Sequence, residues 1–194
     1  IAQCLVGSEM CIRDRYVACA GNFKDAGLEY TGALKVLQMI FSYEYLWIQI
    51  RVKGGAYGCM CSFSDQGDSM FVTYRDPNLS ESYKVYDEAA DYVADFDADD
   101  RDMKKYIIGT IGSMDMPMEA VDMGARSFHA YFLGKTEADL QKVRDQVLSC
   151  TQEDIRALAP IVKAVVEAGN RCCIGNEEKI DQNKEYFDEV KHVL

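Results

Sequence analysis

Histidine is nearly missing from this sequence: there are two in 194 residues, His129 and His192, far apart along the chain. A Cys/His cluster of zinc-finger spacing therefore cannot be written anywhere in it. Proline is scarce as well, with three residues, so long polyproline linkers are excluded. No apolar run approaches the roughly 20 residues needed to cross a bilayer, and the start lacks the basic-then-apolar pattern of a signal peptide. Basic charge is in deficit, with 21 Lys and Arg against 32 Asp and Glu. A net charge of −11 argues against a nucleic-acid footprint, which needs a basic face. These absences predict a chain with no membrane and no nucleic-acid partner. The compartment they suggest is a bacterial-type cytoplasm, with an organelle matrix as the second choice.

What remains is a 48% hydrophobic chain long enough to bury a core as one domain. Residues 4 to 15, "CLVGSEMCIRDR", have neither helical nor strand period and resemble a translated sequencing-library adapter. Residues 1–15 are therefore set aside as non-native, and 16–194 are taken as the domain. Of eight cysteines, Cys4 and Cys11 leave with that segment. Cys19, Cys59, Cys61, Cys150, Cys172 and Cys173 form no CxxC pair and read as free, mostly buried thiols of a reducing compartment.

Strand signals occur in "YVACAGNF", in "AYGCMCSF" and "MFVTYR" around the turn "SDQGD", and in "RCCIGN". The middle pair predicts a β-hairpin. Helical spacing of Leu34, Leu37, Ile40, Phe41 and Tyr45 predicts a long helix running to about Ile50. After the "DPN" turn, a serine-capped acidic helix should bury Tyr86, Ala89, Ala90, Val93 and Phe96 while its aspartates face water. Calcium binding there is disfavoured, because the stretch has no glycine for an EF-hand turn. A helix bearing Met103, Ile107, Ile111 and Met114 follows, closed by Pro117. The next ends at Gly134, with His129 read as a packing residue. Two more open on capping boxes, Thr136/Asp139 and Thr151/Asp154, with Pro160 splitting the second. The tail reads as a charged helix whose end His192 serves. Strands grouped with a block of helices predict an α+β fold, an antiparallel sheet packed against several helices.

The stretch "RVKGGAYG" stands apart. It sets Arg51 six residues from Tyr57 with Gly54 and Gly55 between them. Glycine often does no more than make a turn, and on spacing alone this reading stands beside a functional one. Lys53 reads as a solvated charge. The glycines match neither G-x-G-x-x-G nor the P-loop spacing, which disfavours phosphate binding.

"VLQMIFSYEYLWIQIRVKGGAYG", "VTYRDPNL" and "IIGTIGSMDMPM" together resemble the last domain of the insulinase/pitrilysin family of zinc peptidases, above all its presequence-protease branch. The resemblance runs from Tyr16 to about Phe187. It implies a pitrilysin or mitochondrial-processing-peptidase-like metallohydrolase domain, one of four in a clamshell whose first domain carries H-x-x-E-H. It also implies that Arg51 and Tyr57 reach a peptide held at the zinc, with Gly54 and Gly55 leaving room for the peptide backbone. Arginine offers a fork of donors for peptide carbonyls, and a tyrosine hydroxyl can donate to an oxygen gaining charge. On this reading the chain binds no cofactor and zinc belongs to a missing N-terminal domain. The partners are an unfolded, presequence-like peptide and the remaining domains of the peptidase, and the chain alone is an inactive fragment. The alternative is a separate non-catalytic subunit that binds peptides or pairs with a zinc-bearing partner.

Overall fold

The computed structural model describes residues 15–191; His192, Cys4 and Cys11 lie outside that span. Four strands form one antiparallel sheet in the order β2-β3-β1-β4: β1 (Tyr16–Asn22), β2 (Gly58–Phe63), β3 (Asp68–Tyr74) and β4 (Asn170–Ile174). The hairpin β2–β3 closes at Gly67, and the register places Phe71 between Cys19 of β1 and Cys61 of β2. Alternation sends Val17, Cys19, Cys61, Phe63 and Phe71 to one face. Helices cover that face, and Met60, Met70, Tyr16 and Ile174 are left exposed on the strands. The sheet is thus packed on one side and open on the other.

The covering layer begins with α1 (Ala33–Ile40), whose Leu34, Leu37 and Ile40 are fully buried. Next come α2 (Leu79–Asp87), α3 (Ala89–Ala94), α4 (Asp100–Met114), α5 (Ala120–Phe132), α6 (Glu137–Leu148), α7 (Gln152–Arg156), α8 (Ala159–Glu167) and α9 (Glu177–Asp181). The acidic stretch does bury Tyr86, Ala89, Val93 and Phe96. Buried tyrosines fasten helix to sheet: the Tyr86 hydroxyl donates to Val17 O at 3.1 Å and that of Tyr83 to Cys172 O at 3.1 Å. Each such ring contributes about 1.5–3 kcal/mol by burial, and its hydroxyl is satisfied rather than stranded. Both capping boxes form, and Pro160 sits in the first turn of α8, where it separates that helix from α7.

Four expectations fail in detail. The long helix does not stay α-helical: after Ile40 the chain widens into π-helical turns at Phe41–Tyr45 and Trp47–Lys53. The acidic helix starts after Asn78 with no side-chain cap, because Ser82 donates instead to the buried Asp76. The tail is not one helix but α9 and a short 3-10 turn, Lys184–Tyr186. His129 is exposed on α5 rather than packed. Among the thiols, Cys19, Cys61 and Cys150 are buried, Cys59 and Cys173 are half-buried, and Cys172 is exposed.

Candidate functional site

The second π-helical segment carries Trp47 and Arg51 four residues apart, and the Arg51 guanidinium lies 4.2 Å from the Trp47 ring centre. Such a stack holds a planar cation without removing its donors. A π turn is wider than an α turn and is used in short pieces, often at functional sites. Here it ends where Gly54 N–H donates to Gln49 O at 3.0 Å and Ala56 N–H to Ile50 O at 3.1 Å.

Both glycines are required by the backbone. A Cβ on Gly54 would stand 2.6 Å from Ile50 O, closer than carbon and oxygen can approach. Gly55 adopts φ +78°, the left-handed region that side chains disfavour. The reversal they make brings Tyr57 back beside Arg51, and Arg51 Nη1 donates to Tyr57 O at 2.8 Å. That bond uses one of the five N–H donors of the guanidinium.

Tyr57 then leads into β2, its N–H donating to Tyr74 O at 3.1 Å. Its ring meets Tyr74 edge-on at 5.5 Å, and Tyr74 meets Tyr16 at 5.4 Å, so three aromatic rings run across one end of the sheet. The Tyr57 side chain is 61% exposed, and its hydroxyl has no hydrogen-bond partner among the described residues. Arg51 and Arg75 bracket the ring, with their guanidinium carbons 5.7 and 5.9 Å from its centre. Lys53 is exposed and donates to Gln49 Oε1 at 3.1 Å, as a solvated charge would.

The segment "RDPNL" forms the support. Asp76 is fully buried; its carboxylate accepts from Asn78 N–H at 2.8 Å and from the Ser82 hydroxyl at 2.6 Å. Burial raises the Asp76 pKa above the usual carboxylate range, with those hydrogen bonds pulling the other way. Asn78 Nδ2 reaches across to donate to Gly54 O at 2.5 Å, which ties the glycine turn to the support. Arg15, the last residue of the segment set aside above, is buried against the same support and donates to Asp76 O at 3.1 Å and to Pro77 O. Arg75 is held at φ +50°, the one described non-glycine residue with positive φ.

The structure therefore brings Arg51, Gly54, Gly55 and Tyr57 together at one corner of the sheet. Sequence reading missed Trp47 and Arg75 as their partners. Both fall inside the quoted motifs, but which ring meets which guanidinium depends on the turn, which one-dimensional spacing does not reveal. Among the described residues, no group of three or more His, Cys, Asp or Glu is placed to hold a metal ion. Among the described residues, no helix is long and apolar enough to cross a membrane.

Comparison with known proteins gives a consistent result. The family described as the PreP C-terminal domain matches residues 10–176. A Clostridium perfringens protein named HypA is 42% identical over 180 residues, covering 93% of this chain and 18% of its own length. Presequence protease 1 of Arabidopsis thaliana, named as chloroplastic and mitochondrial, is 34% identical over 183 residues, covering 92% of this chain and 17% of its own. The chain thus spans less than a fifth of the length of these relatives. Among solved structures, a protease from Helicobacter pylori superposes with TM-score 0.59 at 16% identity, over 76% of this chain and 38% of that one. A candidate zinc protease from Bordetella pertussis superposes with TM-score 0.61 at 14% identity, over 82% and 92%. At such identities the superpositions speak to fold alone, and they agree on a zinc-protease-like α+β domain.

Proposed function

Because this chain belongs to the presequence-protease family of peptidases, as its C-terminal domain, we propose that it supplies the substrate-binding wall of a peptide-hydrolysing enzyme. Arg51 holds a peptide carbonyl and Tyr57 donates its hydroxyl to the oxygen that becomes negative as the scissile carbon turns tetrahedral. The observation that carries this reading is the pairing of an exposed, unpartnered tyrosine hydroxyl with a guanidinium already fixed in place by Trp47 and by Tyr57 O.

The chemistry follows from what is fixed beforehand. A donor aimed at a developing charge accelerates a reaction only if it need not reorganise. The Trp47 stack, the π turn and the Gly54–Asn78 bond each remove a freedom from this corner. Gly55, with no side chain, lets an extended peptide lie against the backbone. The substrate class on this reading is an unfolded, presequence-like peptide, and zinc is held by another part of the longer polypeptide.

The test is Tyr57→Phe in the intact enzyme. Removing one such donor should lower kcat by about 10²–10³-fold. Stability should stay as it was, because the hydroxyl bonds nothing among the described residues. A rise in KM with kcat intact would make Tyr57 a ground-state contact only. No change in either would refute the proposal.

A further inference from the structure

Lys35 is a cation without an anion. It stands half-buried on α1, and its ammonium has no hydrogen-bond or ion-pair partner among the described residues. Burial holds its pKa below the usual lysine range; Asp65 opposes that shift, while Arg126 and Lys135 add to it. Three positive groups therefore act on one small volume. Asp65, in the hairpin turn, is the one carboxylate among the described residues that lines this volume, and it is ion-paired with Lys135. Arg126 has a sulfur for its partner, Met118 Sδ at 3.8 Å, a weak acceptor. The Asp115 carboxylate, which Arg126 also attracts, is held at 2.6 Å by both terminal nitrogens of Arg144. A partly desolvated cation left without counter-charge is unfavourable, and in a cleft it marks a place where a ligand supplies the missing charge.

The cations share a cleft of about 460 Å³, walled by α1, the β2–β3 turn, the end of α4, α5 and α6. Its other side is apolar, made by Phe63, Met114, Leu140 and Val143. Tyr30 lines it too, and burial, with Asp65 adding to it, pushes that hydroxyl up to about 12, so it stays a neutral donor. A concave site of this size, mostly apolar with a few convergent polar groups, suits a small molecule rather than the face of another protein. It lies at the Phe63 end of β2, whereas Tyr57 precedes the other end, about 20 Å away along the strand. The cleft is therefore separate from the Arg51–Tyr57 corner.

We propose that this cleft binds a small organic anion, with a single carboxylate or phosphate head between Lys35 and Arg126 and an apolar body against Phe63, Leu140 and Val143. Arg126 offers the fork of donors that fits two oxygens of such a head, and Lys35 offers a point charge that no protein group competes for. Lys135 is left with Asp65, which fixes the hairpin turn as one wall of the site. The head is an oxyanion in either case, because carboxylate and phosphate present the same acceptors to this pair. The inference depends neither on the roles of Arg51 and Tyr57 nor on the peptide-hydrolysis reading.

The test is titration calorimetry on the intact polypeptide, after dialysis against a chelator so that no anion gathers on a metal. The probes are benzoate, phenyl phosphate, inorganic phosphate and, as the uncharged control, benzyl alcohol. Benzoate or phenyl phosphate should bind, and whichever binds tighter identifies the head. Inorganic phosphate, lacking the apolar body, should bind about tenfold more weakly than phenyl phosphate. Lys35→Gln and Arg126→Gln should each weaken the aromatic anions about 10–100-fold, as loss of a hydrogen bond from a charged group does, and Lys35→Arg should keep binding. Lys35→Gln should also melt no lower than the wild type, since it removes an unpaired charge. A wild type that binds neither aromatic anion overturns the proposal. Affinity unchanged in both Gln variants overturns it by placing the ligand elsewhere. Benzyl alcohol binding as tightly as the anions overturns the oxyanion head, and inorganic phosphate matching phenyl phosphate overturns the apolar body. A lower melting temperature in Lys35→Gln overturns the claim that Lys35 lacks a counter-charge.

Discussion

Replacing Gly55 and Gly54 separately by alanine asks whether the corner holding Arg51 and Tyr57 is made by backbone geometry. At Gly55 an added Cβ would find only Pro77 Cγ, at 3.8 Å, so there is room for it. The cost of Gly55→Ala is therefore conformational, about 1–2 kcal/mol for placing an L residue in the left-handed region. At Gly54 the φ of −81° suits any residue, but the Cβ would stand 2.6 Å from Ile50 O and 3.2 Å from Gln49 O. Those carbonyls accept from Ala56 and Gly54 and cannot move without opening the π turn. Gly54→Ala should therefore cost more than Gly55→Ala. Native-state hydrogen exchange over residues 47–63 of the intact polypeptide reads the difference. Exchange of the Ala56 and Tyr57 amides should speed up by about 5–30-fold in Gly55→Ala and by more in Gly54→Ala. Peptide hydrolysis should fall in the same order. A Gly54→Ala variant milder than Gly55→Ala, or no change in either, would refute the account of this turn.

Two further predictions concern the support and the thiols. Asp76→Ala should destabilise the domain by about 1–3 kcal/mol for each buried donor it strands, measured as the urea midpoint; the donors are the Ser82 hydroxyl and Asn78 N–H. Burial pushes Cys59 and Cys173 up to about 11 and Cys150 up to about 12, from an ordinary 9.0. Between pH 9 and pH 11 the unfolded chain releases these protons while the folded chain keeps them, so stability falls as pH rises through that window. Thermal melting should drop across it, and Cys59→Ala should flatten the slope; a melting temperature unchanged from pH 9 to pH 11 would count against this.

Most of the framework was legible because its signals are local. Three strands carry period-two alternation and the last is a short apolar run bounded by turn residues, the hairpin has Gly67 in its turn, and Thr136 and Thr151 sit three residues before their aspartates. The π turns were not legible, since nothing in the composition of "FSYEYLWIQIRVK" separates a π turn from an α turn. The start of α2 was misread because tertiary partners outcompeted a local cap: Ser82 serves Asp76, and Asn78 serves Gly54. The tail was over-read as a helix because charge and period were counted without asking what it would bury. The membership of the corner was legible for Arg51, Gly54, Gly55 and Tyr57 through the motif, and their assembly at one end of the sheet is now on view. Trp47 and Arg75 were invisible because a cation–ring contact is made in space.

The central claim, that Arg51 and Tyr57 face a bound peptide, is tested most directly by placing a photoreactive benzophenone amino acid at position 57 of the intact polypeptide. An unfolded presequence-like peptide is added with the metal chelated so that the peptide stays whole, and the products are mapped by mass spectrometry. A crosslink from position 57 to the peptide, suppressed by excess unlabelled peptide, is the result predicted here. Crosslinks confined to the protein's own chain, with peptide bound elsewhere, would contradict it.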